Sequence, residues 1–222
     1  MKKHLKFPSK RKLTRAELER YNRYAVDLFN VLISLREYHN CVTIFGSRKP
    51  KENDKYYQKA LELGKKLAEN GHIVVTGGGP GIMEAANRGA SEANGKTVGF
   101  NINIPGEQKI NGYAAHTVEF QYFSTRKLIL AASSKVWVFF PGGFGTLDEL
   151  FEALTLVRDG KTTKTTPIFL IGREYWKGLD ELIKSRAGAD GEFEDSNRQL
   201  YKITDNIDEV VEAANQIPKT ED

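Results

Sequence analysis

Cysteine is nearly absent from this chain of 222 residues. Cys41 stands alone, so no internal disulfide can form, which fits a reducing, cytoplasmic setting. No apolar run approaches the roughly 18 residues of a membrane-spanning helix. The N-terminus is basic but has no apolar core segment, so it does not read as a secretory signal. The four histidines, at 4, 39, 72 and 116, are scattered and show no metal-ligand spacing. No Ser/His/Asp or Cys/His arrangement stands out. The Gly-Lys-Ser/Thr ending of a phosphate-binding P-loop is also missing.

Positive charge is scarce where the net value suggests it is plentiful. The formal charge is +4, yet residues 1–24 carry nine Lys/Arg against Glu17 and Glu19. The remainder of the chain is therefore acidic on balance. The basicity belongs to a tail, which reads as a solvated arm. Without aromatic residues interleaved in a basic patch, nucleic acid is not the expected partner.

The hydrophobic pattern is that of an α/β protein. Thr14 and Glu17 have capping-box spacing, and Leu18, Tyr21, Ala25, Leu28, Leu32 and Leu35 follow at helical intervals. This predicts a helix over 14–37. Strands are expected at 42–45, 73–76, 97–102, 116–120, 135–140, 167–171 and 201–204. Helices are expected at 54–70, 80–94, 124–133, 146–159, 174–186 and 207–217. Strict alternation argues for a Rossmann-like, doubly wound parallel sheet with ligands at the carboxyl ends of its strands. The expected organisation is a basic tail (1–13), an N-terminal helix (14–39), one nucleotide-binding domain (40–217) and a short C-terminal tail (218–222).

Two glycine-rich loops follow strands. The first runs Gly77-Gly78-Gly79-Pro80-Gly81 and on to Glu84, with Pro80 suited to a first helical position. It is not the dinucleotide fingerprint, because the last required glycine falls at Ile82. The second is Pro141-Gly142-Gly143-Phe144-Gly145-Thr146, continuing to Glu149. A helix starting there would aim its free N–H groups and positive end at a phosphate, with Glu149 one turn further in. Each loop also has a plainer meaning, a tight turn with close helix packing. Glu149 has one too: Thr146 and Glu149 are spaced as a capping box. In a third segment Ser124 reads as an N-cap, which puts Arg126 and Lys127 in a first helical turn. Cations are unfavourable there, so either an anion lies close by or both side chains turn to solvent or a carboxylate. Phe123 and Phe144 could stack on a base; Phe139 and Phe140 read as core.

Together, Gly77 to Asn87, Ser124 to Lys127 and Pro141 to Glu149 resemble the Lonely Guy family of cytokinin riboside 5′-monophosphate phosphoribohydrolases, members of which were often labelled lysine decarboxylases. The resemblance covers about residues 40–215. The Pro80-Gly81-Ile82-Met83-Glu84 continuation is similar to the longer bacterial subgroup. The resemblance implies hydrolysis of the N-glycosidic bond of a nucleoside 5′-monophosphate, with no metal or organic cofactor, by a homodimer or larger homo-oligomer. It assigns Arg126 and Glu149 to catalysis. Substrate binding would fall to Gly46, Ser47, Gly77, Gly78, Gly79, Gly81, Glu84, Lys127, Gly142, Gly143, Gly145 and Thr146. The competing expectation is a binding protein without catalysis, such as a carrier of a molybdopterin-type cofactor.

Overall fold

The computed structural model describes residues 12–38, 41–103, 110–161, 166–186 and 200–217. Residues 1–11 of the basic tail and the 218–222 tail lie outside the described residues. In chain order the elements are α1 (Arg15–Glu37), β1 (Cys41–Phe45), α2 (Lys55–Glu69), β2 (Ile73–Thr76), α3 (Ile82–Glu92), β3 (Thr97–Ile102), β4 (His116–Phe120), α4 (Phe123–Ala132), β5 (Ser134–Phe139), α5 (Phe144–Arg158), β6 (Ile168–Ile171), α6 (Arg173–Arg186), β7 (Lys202–Thr204) and α7 (Asp208–Gln216). All seven strands pair in parallel, in the order β4-β3-β2-β1-β5-β6-β7. The fold is the doubly wound α/β sheet. Winding reverses between β1 and β5, and the crevice beyond their carboxyl ends is where such sheets bind ligands.

Side chains of a strand alternate between faces, so each strand feeds two cores. Val42, Ile44, Val74, Val136 and Val138 pack with α2, α3 and α7. Phe45, Val75, Trp137 and Phe139 pack with α1, α4, α5 and α6. Cys41 opens β1 fully buried, and burial pushes its thiol up to about 12. It is therefore an inert core residue.

Three local expectations need correction, at Pro80, Ser124 and Thr146. The capping box of Thr14 and Glu17 is present, and the apolar stripe of α1 turns outward except at Leu35, which packs on the core. Leu18, Tyr21, Ala25, Leu28 and Leu32 are exposed, while Asp27, Val31 and Ser34 form the buried face. Pro80 lies outside α3, because Gly81 at φ 74° is its N-cap. Ser124 is not a cap either; Tyr122 holds that position. Finally, α5 starts at Phe144 with Gly143 as N-cap, so Thr146 is the third helical residue and forms no capping box with Glu149.

Candidate active site

The start of α4 is held from a distance of 98 residues. The Asp27 carboxylate of α1 accepts hydrogen bonds from the backbone N–H of Gln121 (3.0 Å) and Tyr122 (3.0 Å) and from Thr125 Oγ1 (2.6 Å). A buried anion at a helix N-terminus satisfies orphan N–H groups and favours the macrodipole. The Tyr24 and Tyr122 rings stack at 3.6 Å beside it. This junction sets the position of Arg126 one turn along.

Arg126 points into a cleft of about 420 Å³ at the carboxyl ends of β1, β2, β3 and β5. Its floor holds Phe45, which stacks on Phe139. Its walls bring together eight of the expected residues: Gly46, Ser47, Gly77, Arg126, Gly143, Gly145, Thr146 and Glu149. Met83, Ile102, Phe123 and Phe144 complete the apolar part, and Arg48 and Lys49 the rim. Phe144 is 94% exposed, far more than any other large apolar side chain described.

Arg126 Nη2 and Glu149 Oε1 lie 3.9 Å apart, and both side chains are almost wholly buried. Burial pushes the Glu149 carboxyl up to about 7 against the opposing pull of Arg126 and Lys127. Burial likewise lowers Arg126, and Glu149 only partly offsets it. Desolvation thus outweighs pairing on both sides. A guanidinium still keeps its proton at any ordinary pH, so Glu149 is the member that titrates. Arg126 Nε is buried with no acceptor among the described residues. Such a donor carries a desolvation cost that a ligand acceptor would relieve.

The glycines divide into two kinds. At Gly77 an added Cβ would lie 3.2 Å from Arg126 Nη2, and at Gly81 (φ 74°) it would strike the backbone of Ser47 and Arg48. These glycines let segments of the protein approach one another. At Gly143 and Gly145 an added Cβ would meet nothing within 4 Å. Their bareness serves no internal packing, and it leaves the opening N–H groups of α5 accessible from the cleft.

The remaining expected residues lie outside this cleft. Gly78 and Gly79 sit behind Gly77, hydrogen-bonded to Thr76 and Asn111. Gly81 and Glu84 border a neighbouring hollow with Tyr57, whose hydroxyl donates to Glu84 Oε1. The Gly142 carbonyl accepts from Tyr175. Lys127 turns to Asp148 (2.7 Å) and Glu152 (2.9 Å) on α5. Burial pulls its ammonium down, and those two hydrogen bonds more than restore it. With α4 starting at Phe123, Arg126 and Lys127 are its fourth and fifth residues and lie beyond the expected first turn; one faces the cleft and the other clamps α4 to α5.

Sequence reasoning missed Asp27, Met83 and Ile102. Asp27 had one usable signal, a carboxylate at helical spacing from Val31, Ser34 and Tyr38.

Comparison with known proteins identifies the family. A family model described as "Possible lysine decarboxylase" matches residues 83–214, and one described as DNA recombination-mediator protein A matches residues 18–109. A cytokinin riboside 5′-monophosphate phosphoribohydrolase of Arabidopsis thaliana is 26% identical over 174 residues, 77% of this chain and 75% of that one. A pyrimidine/purine nucleotide 5′-monophosphate nucleosidase of Escherichia coli is 26% identical over 211 residues, covering 87% of this chain but 44% of the relative. Among solved structures, the molybdenum cofactor carrier protein of Chlamydomonas reinhardtii superposes with a TM-score of 0.57 at 26% identity, over 80% of this chain and 97% of that one. The match over 83–214 spans α3 to α7 and takes in both Arg126 and Glu149, so this chain belongs to the family described as possible lysine decarboxylase, the Lonely Guy group that its three motifs resemble.

Proposed function

We propose that the protein hydrolyses the N-glycosidic bond of a nucleoside 5′-monophosphate of the AMP type, releasing the free base and ribose 5-phosphate. One observation carries the reading. A buried carboxylate beside a guanidinium with a spare donor faces the same cleft as a helix start with bare glycines on either side of its first residue. The 5′-phosphate would sit on the N–H groups of Phe144 and Gly145, with the Thr146 hydroxyl beside it. Cleavage builds positive charge on the ribose ring as the C1′–N bond stretches. The Glu149 carboxylate would stabilise that charge or take a proton from the water attacking C1′. With its proton leaving near pH 7, Glu149 is poised for such a role at neutral pH. Arg126 Nε would donate to the departing base or a ribose oxygen. The relatives named for this reaction support the substrate class.

The family description points elsewhere, to decarboxylation with a pyridoxal group held by a lysine. The residues present do not fit it. Among the described residues the one lysine on the cleft is Lys49, at the exposed rim, while Lys127 is committed to two carboxylates. A second reading, a carrier of a molybdopterin-type cofactor without catalysis, rests on the Chlamydomonas likeness.

The reading includes a homodimer or larger homo-oligomer. The exposed apolar residues of α1, among them Val26, Phe29, Leu32 and Ile33, form a face that a second copy would cover, and Phe151 of α5 and Leu128 of α4 are exposed as well. A cytoplasmic location fits the single buried cysteine.

The test is chromatographic detection of free base from a panel of nucleoside monophosphates. Release of adenine from AMP is the expected result. Saturable nucleotide binding with no base released from any member of the panel would overturn the hydrolase and leave the carrier.

A further inference from the structure

Behind the triple-glycine loop lies a buried polar network that the reaction itself does not touch. Its centre is Asn87 of α3, fully buried. Asn87 Oδ1 accepts from Thr76 Oγ1 at 2.6 Å and from Asn111 Nδ2 at 3.0 Å. Asn87 Nδ2 donates in the other direction, to Thr97 Oγ1 on β3. Both partners of the carbonyl side grip the loop. Thr76 Oγ1 accepts from Gly78 N–H at 2.9 Å. Asn111 donates from its backbone N–H to Gly78 O at 2.9 Å and from Nδ2 to Gly79 O at 3.0 Å. Gly78 itself stands at φ 70°, a conformation that only an unsubstituted residue holds readily. The front of the same loop is Gly77, close enough to the Arg126 guanidinium that a methyl group would crowd it.

We propose that Asn87 is a positioning residue for Arg126. Its carbonyl side locks the loop at Gly78 and Gly79, and the locked loop is the wall on which the guanidinium rests. Its amide side, toward Thr97, anchors Asn87 to the sheet and does not reach the loop. The inference rests on the proposed hydrolysis for its main readout.

Two isosteric substitutions separate these sides. Thr76→Val removes a hydroxyl that links Asn87 to the loop, whereas Thr97→Val removes one that links it to β3. Each deletes a buried hydroxyl bonded to Asn87, so both lower the melting temperature. A merely structural network predicts matched losses of stability and unchanged turnover per folded molecule. Positioning predicts a kcat for AMP reduced roughly tenfold or more in Thr76→Val and held within about twofold in Thr97→Val, because a small misplacement of a catalytic group is costly. Equal kcat in the two variants would overturn the proposal. If the wild type releases no base, the hydrolase reading fails by itself. The same pair is then compared by calorimetric titration with AMP: weaker binding in Thr76→Val alone supports the lock, and equal affinities overturn it.

Discussion

Glu149→Gln should cost activity and return stability, and the amounts follow from the burial of one carboxyl. In the unfolded chain this group titrates near its ordinary 4.5, and in the folded cleft near 7. Across that window the folded protein binds the proton more tightly than the unfolded chain does, so stability falls as pH rises and levels off above about 7. A difference of roughly 2.5 pKa units corresponds to about 3 kcal/mol. That figure already contains the attraction of Arg126 and Lys127, since both pull the value down from where burial alone would put it. Glutamine never ionises and carries no such penalty. The variant and the wild type should therefore melt together at about pH 4, below the unfolded value, and separate as pH rises. At pH 8 the variant should melt higher by about 2–4 °C per kcal/mol, or roughly 6–12 °C. Base release should fall about 10²- to 10⁴-fold in the variant. In the wild type it should decline about tenfold per unit as pH drops below 7. The assay is differential scanning calorimetry from about pH 4 to about pH 8.5 beside base release on the same samples. A variant that melts below the wild type at pH 8 would refute the reasoning, because the carboxylate would then be supporting the fold rather than straining it.

Three other outcomes can be checked with single substitutions. Gly143→Ala places a methyl group in open space at an ordinary φ of −93°. The melting temperature should stay within about 2 °C while KM for AMP rises about tenfold or more, read from steady-state kinetics. Asp27→Ala removes the acceptor of the Gln121 and Tyr122 N–H groups, while the Thr125 hydroxyl keeps the Tyr122 carbonyl; denaturant titration should show a loss of about 2 kcal/mol, with Asp27→Asn losing less. Phe29→Asp puts a charge on the exposed face of α1. On the proposed dimer, light scattering should then report half the wild-type mass; an unchanged mass would remove this face from the proposed assembly.

Much of the frame is readable without coordinates, for a physical reason. Strands buried on both faces are short apolar runs, and β2 and β3 fall at the predicted residues, as does the largely exposed edge strand β4. The glycine loops are equally visible, because a bare backbone beside a ligand has no substitute. What stays hidden depends on partners far along the chain. Ser124 reads as a cap because capping is inferred locally, yet the acceptor that serves α4 comes from Asp27. The start of α5 reads two residues late because Gly145 is a poor helix former, yet the helix begins at Phe144. Arg126 and Lys127 look alike in sequence, and only the packing of α4 against α5 separates the cleft-facing cation from the clamp. The α1 stripe follows hydrophobicity faithfully and still points outward.

That last helix joins two matters usually treated apart. Asp27 and Phe29 are two residues from each other, one gripping the segment that carries Arg126 and the other open to a second molecule. Neither falls in the stretch matched to the family, which begins at residue 83. Whatever presses on the outside of α1 therefore leans on the arginine within. Quaternary contact and catalytic order would share one lever, and a chain trimmed to its family-matching part would keep Arg126 and Glu149 while losing the brace that aims the arginine.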